Sequence, residues 1–193
     1  MTQEQINPPH PLRTAAPAMG GFTAIELMVT LSIVAILTAL ALPSFNLLIE
    51  RWRIRDAVES MRSTFLLARS EAIKRGGGIG IQKLPKTTPG CILANANQEW
   101  GCGWFVFEDN NNDGKWQVSE ARLQTVTTPA NVNVMHNSGG TNIKVDRYGK
   151  MSGLNAKGFT FSPEPAGISS PATRGLCMSS GGRIRVIEDV PCS

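Results

Sequence analysis

A chain of 193 residues, 41% apolar and 18% charged, suffices for one domain with a full core and is short for more than two. With 19 Lys and Arg against 15 Asp and Glu the formal charge is +4, a balance that permits an anionic partner without requiring one. Neither a disordered tail nor a collagen-like rod has this composition.

Met1–Gly21 is polar and Pro-rich, with Glu4 and Arg13 as its only charges. From Ile25 to Leu42 the chain is apolar apart from Glu26, and no further charge appears before Glu50. Roughly 20 such residues cross a bilayer as a helix. Three readings fit the block: a secretory signal cut near Ala39-Leu40-Ala41, a plain single-pass anchor, or a signal processed ahead of the apolar run. Glu26 separates them. A carboxylate one turn into an apolar helix is expensive and has a partner or a task, and neither of the first two readings supplies one.

The run Gly20-Gly21-Phe22-Thr23-Ala24-Ile25-Glu26-Leu27 resembles the type IV prepilin motif: a Gly before the scissile bond, an aromatic after it, and Glu fifth beyond the cut. The resemblance implies that a prepilin peptidase removes residues 1–21, that Phe22 becomes N-methylated, and that the apolar helix is kept. It also implies that Glu26 faces the N-terminal ammonium of a neighbouring subunit, which lowers the cost of burying it. Residues 22–42 are then expected to span the inner membrane once, with the globular part in the periplasm before assembly into a pilus or pseudopilus.

The helix is expected to continue to Arg75, with a kink at Pro43. Leu47, Ile54, Val58, Met61, Phe65, Ala68 and Ala72 recur at helical spacing and mark a core-facing stripe. Arg55, Arg62 and Arg69, at heptad spacing, read as a solvated face. Gly76-Gly77-Gly78 stops the helix. The glycine run lacks the Lys-Ser/Thr of a phosphate loop.

Eight short strands follow: Ile79–Gln82, Gly103–Glu108, Arg122–Thr127, Val132–Met135, Ile143–Asp146, Gly158–Ser162, Arg174–Ser179 and Arg183–Ile187. Each is bounded by Gly, Pro, Asn or Ser, as in antiparallel sheet, and Gly181-Gly182 reads as a two-residue hairpin turn. The fold class is α+β: a long N-terminal helix on an antiparallel sheet, with residues 76–193 as the globular domain. Within the pilin-like group, Ala68-Arg69-Ser70-Glu71-Ala72, the Trp104–Phe107 strand with its acidic turn, and Gly182-Arg183-Ile184-Arg185 resemble the GspH/FimT family. That resemblance implies a minor pilin or pseudopilin whose partners are other pilins.

Cys91, Cys102, Cys177 and Cys192 have no C-x-x-C spacing and no His beside them to build a zinc site. In an oxidising compartment they pair, and the local pairs Cys91–Cys102 and Cys177–Cys192 are favoured among three connectivities. Asp109-Asn110-Asn111-Asn112-Asp113-Gly114 with Glu120 matches the spacing of a calcium loop, with Asp109, Asn111, Asp113 and Glu120 as ligands. Its flanks read as strands where such a loop has helices, and the same residues make plain turns, so no cofactor is expected.

His136 is the only His after the leader, and no nucleophile or metalloprotease motif is present, so no catalysis is expected. The last third of the chain carries Lys144, Arg147, Lys150, Lys157, Arg174, Arg183 and Arg185 against Asp146 and Glu164, with Glu188 and Asp189 just behind. Lys150, Lys157, Arg174, Arg183 and Arg185 form a candidate patch for sequence-independent DNA binding, with Arg174 joining the arginines of the last strand. This segment resembles the C-terminal region of FimT-type minor pilins, which implies DNA binding during uptake. The alternative is a purely structural pseudopilin of protein secretion.

Overall fold

The computed structural model describes residues 21–89, 91, 93–137, 139–152, 158–179 and 182–192, with residues 41–44 described by their backbone alone. One helix, α1 (Ala24–Arg75), precedes eight strands: β1 (Ile79–Lys83), β2 (Trp104–Glu108), β3 (Arg122–Val126), β4 (Val132–His136), β5 (Asn142–Val145), β6 (Gly158–Pro163), β7 (Arg174–Met178) and β8 (Ile184–Ile187). All eight expected strands are present within a residue or two of their expected ends. Two compact units result, Met1–Leu42 and Pro43–Ser193, so Pro43 stands inside the helix at the boundary between them.

The helix ends where its chemistry says it should. Gly76, at φ 79°, takes the left-handed conformation, and the Gly77 N–H reaches back to the Ala72 carbonyl at 2.8 Å, closing the last turn. Arg75 bonds Glu71 and Glu108, each at 2.6 Å, and thereby fastens the helix end to the end of β2. Arg75 holds the Glu71 carboxyl below its ordinary range.

The strands form two antiparallel four-stranded sheets, ordered β3-β2-β1-β5 and β4-β6-β7-β8, where one sheet was expected. Alternation along a strand shows which side is buried but not which strand lies beside it. After β3 the chain leaves the first sheet, and β4 pairs with β6 instead. Ile79, Ile81, Trp104, Val106, Ile143 and Val145 of the first sheet share a single core with Val132, Val134, Phe159, Phe161, Leu176 and Met178 of the second. Into that core α1 sends Ile54, Ala57, Val58, Met61, Phe65, Ala68 and Ala72. Phe65 meets Phe159 at 5.8 Å between centroids, and the buried Trp104 indole donates to Thr64 Oγ1 at 2.9 Å.

The opposite face of the first sheet has its own small core of Leu84, Ala94, Cys102, Phe105 and Phe107. The Phe107 ring occupies the space where a side chain at position 80 would stand, which is why β1 carries Gly80. Cys91 and Cys102 are bonded across 5.2 Å between Cα atoms, and Cys177 and Cys192 across 5.6 Å. Lys83, buried beneath the first of these loops, donates to the carbonyls of Ala94, at 3.2 Å, and Ala96, at 2.5 Å. Burial pushes its pKa down, partly offset by Glu99.

Candidate functional site

Two regions are candidates: the apolar start of α1 and the basic loops at one end of the sheets. In the first, Thr23 caps the helix. Its Oγ1 accepts from the Glu26 N–H at 3.3 Å and its carbonyl from the Leu27 N–H at 3.1 Å. Thr23-x-x-Glu26 is the spacing of a capping box, a signal legible in the sequence. It places the Glu26 carboxylate in the first turn, at the positive end of the helix dipole. Gly21 and Phe22 lie just outside the helix, and Phe22 is 84% exposed.

From Ile25 to Leu40 every large apolar side chain is exposed. Polar residues in this stretch turn back on the backbone: Thr30 donates to the Leu27 carbonyl at 2.9 Å, Ser32 to Met28 at 2.7 Å, and Thr38 to Val34. The helix therefore shows its surroundings an apolar surface on all sides. No single helix among the described residues is long and apolar enough to cross a membrane. Ala24–Leu40 and Phe45–Arg75 taken together pass that test on length and composition.

The basic region differs from its expected form in three respects. Arg69 is not on a solvated face: its Nε donates to the Gly149 carbonyl at 3.1 Å and a terminal nitrogen to the Gly182 carbonyl at 3.0 Å. One guanidinium thus ties the loop after β5 to the loop before β8, and with them the two sheets. Arg55 and Arg62 are exposed, as expected. Lys150 and Arg183, both exposed, directly follow the two clamped glycines.

The second difference concerns Arg174. Cys177 pairs with Arg185 and Gly175 with Ile187, so Arg185 projects on the Cys177 side and Arg174 on the other, with Leu176 and Met178. Arg174 is also engaged, by Glu188 at 3.0 Å and by the carbonyls of Pro171 and Thr173 at 3.0 and 2.7 Å. It does not join Arg183 and Arg185, both of which are exposed. Lys157 lies outside the described residues. Third, the turn before β8 is longer than two residues. The Ser179 N–H bonds the Arg183 carbonyl at 3.0 Å, so residues 180–182 intervene, with Gly182 at φ 78°.

The acidic loop is folded on itself. Asp109, 1% exposed, accepts the N–H groups of Asp113 at 2.9 Å and Gly114 at 2.8 Å. Glu120 accepts those of Asn110 at 2.9 Å and Gln117 at 2.8 Å. Asp113 accepts the Lys115 N–H at 2.7 Å and the amides of Asn111 and Gln117, which hold its carboxyl below the ordinary range. Among the described residues no three His, Cys, Asp or Glu are grouped to hold a metal ion.

His136 ends β4 and is buried, stacked on Phe159 at 4.7 Å. Its Nδ1 lies 3.1 Å from the Gly140 amide nitrogen and 3.2 Å from the Gly140 carbonyl oxygen, and its Nε2 has no hydrogen-bond partner among the described residues. Burial depresses its pKa. This is a core histidine.

A helix whose first part is apolar all round and whose second part closes a two-sheet domain defines the class of pilin-like structural subunits. The family model described as "Type II transport protein GspH" matches residues 57–184, and the chain belongs to that family. The pilin-like protein PilA1 of Thermus thermophilus is 30% identical over 99 residues, which span 50% of this chain and 62% of that relative. Two crystal structures of the type IV minor pilin FimU from Pseudomonas aeruginosa superpose with TM-scores of 0.51. Their identities are 20% and 22%, covering 69% and 72% of this chain and 91% and 90% of FimU, so the likeness is one of fold. These relatives are a pilin-like protein and a minor pilin.

Proposed function

We propose that the chain is a minor pilin or pseudopilin that enters a filament through the first part of α1. The observation that carries this reading is the stretch from Ile25 to Leu40, apolar on every side and with its large side chains exposed. Such a surface is stable only in lipid or against like helices. The inner membrane holds the subunit before assembly, with the domain in the periplasm, and a prepilin peptidase cuts between Gly21 and Phe22. Glu26 then meets the N-terminal ammonium of a neighbour. Mass spectrometry of the membrane-bound protein from cells with a prepilin peptidase tests this. A mature chain starting at methylated Phe22 is expected; a chain cut after Ala41 refutes the reading.

A second reading concerns DNA. Lys150, Arg183 and Arg185 are exposed, and the first two directly follow the glycines that Arg69 clamps, which supports neutralising a few phosphates without base contacts. Fluorescence anisotropy with a duplex at 50 and 200 mM salt checks it. Binding is expected to weaken with salt and to be lost in Arg183→Ala plus Arg185→Ala, with Arg174→Ala unchanged. No binding by the parent at low salt leaves the purely structural pseudopilin.

A further inference from the structure

The acidic loop that resembles a calcium site builds something else on its outer side. With Asp109 and Glu120 turned inward onto backbone amides, the loop leaves Lys115 exposed and Trp116 half-buried against Phe105. Trp116 is fixed at two points: its backbone N–H donates to the Gln82 side chain at 3.1 Å and its indole N–H to the Glu120 carbonyl at 3.0 Å. Phe105, buried on β2, meets it at 5.7 Å with the rings 82° apart. Arg122 of β3 lies in the corner so formed, its Cζ 4.1 Å from both ring centroids.

The corner opens on a cleft of about 480 Å³ lined by Gln82, Lys83, Phe105, Lys115, Trp116 and Arg122, among others, with no Asp or Glu in its wall. Arg122 is exposed, has no ion pair among the described residues, and donates none of the side-chain hydrogen bonds found there. Its neighbours use the π faces, not the N–H donors. A guanidinium held by two rings has already lost its rotamer freedom, so an anion that binds it does not bear that ordering cost. Asp113, the carboxylate beside Lys115, already accepts from the Lys115 backbone N–H and from the Asn111 and Gln117 amides. The Lys83 ammonium is turned away onto the Ala94 and Ala96 carbonyls.

We propose that this cleft is an oxyanion-binding site, in which Arg122 receives a carboxylate or phosphate group on its outward edge and Lys115 adds a second charge. The site lies on the first sheet and is distinct from the basic loops near Arg183. It gives the Asp109–Glu120 loop a role that needs no metal: a rigid scaffold for a cationic, aromatic corner.

The test uses the full chain in an uncharged detergent and follows the Arg122 Nε–H and Trp116 indole N–H signals by NMR. Inorganic phosphate and acetate are titrated separately at constant ionic strength. A saturable shift of both signals with either anion is expected, and the anion that binds more tightly names the class. Arg122→Gln should abolish the Trp116 response. Arg122→Lys should weaken it about tenfold, since an ammonium lacks the guanidinium fork. Lys115→Gln should weaken it several-fold, while Arg183→Ala leaves it unchanged. Should Arg122→Gln threaten the fold, its thermal unfolding and the Trp104 indole signal serve as controls. No saturation with either anion, or an unchanged Trp116 response in a folded Arg122→Gln protein, overturns the proposal.

Discussion

Within α1 two stretches arrange their apolar residues differently and meet opposite conditions. Between Ile25 and Leu40 the apolar residues are continuous around the helix, and both end residues are more than 70% exposed, at 72% and 74%. Between Ile54 and Ala72 the buried apolar residues keep to one stripe at three- and four-residue steps, with Ile54, Met61 and Phe65 at most 1% exposed, while Leu66 lies off it. A stripe needs one partner surface, which the chain supplies as its own two sheets. An all-round surface needs partners on every side, which no single chain of this length supplies. The first stretch therefore carries assembly and the second carries the fold.

This contrast can be broken experimentally. The largest effect is expected from Phe65→Ala, which removes the contact with Phe159 and leaves a cavity between helix and sheets: a loss of about 3–5 kcal/mol in denaturant unfolding. Leu31→Ala should leave that unfolding curve unchanged and lower recovery in the filament fraction instead. Replacing Cys177 and Cys192 together by Ser opens the link that holds the C-terminal segment to β7, at a cost of about 3 kcal/mol. Arg69→Met keeps the apolar stem but frees the Gly149 and Gly182 carbonyls. A loss of about 1.5–3 kcal/mol is expected, with faster amide exchange in both loops. An intact pattern of exchange there would show that the clamp does not join the sheets.

The smallest effect is a pH dependence. The His136 pKa is depressed by burial, so the unfolded chain binds the extra proton more readily than the folded one. Stability from this residue is fully present above about pH 6.5, the ordinary imidazole value, and falls as pH drops below it. His136→Phe should flatten that part of the curve, as seen in unfolding midpoints measured between pH 5 and pH 8.

All eight strands could be read from the sequence because each is short and bounded by turn residues, and the helix because its stripe and its terminal glycines agree. Partner choice could not. Nothing in the order of strands announces that β4 leaves the first sheet, since alternation specifies a face and not a neighbour. Arg174 was misplaced for the same reason: its side of β7 depends on the register that sets Cys177 against Arg185. Heptad spacing made Arg69 look like Arg55 and Arg62, yet only Arg69 lies where two distant loops present carbonyls. At the helix start, by contrast, Thr23 and Glu26 carry a legible capping signal. The Arg122 corner was out of reach, because its two rings are joined only by the fold of the loop between them.

The account rests on the first turn of α1, and Glu26→Gln addresses it most directly. Parent and variant full-length chains are compared for their presence in membranes and in purified filaments. The account predicts that the variant, with its capping Thr23 and apolar surface intact, is cleaved and held in the membrane at the parental level but is lost from filaments. Parental recovery of the variant in filaments would contradict it.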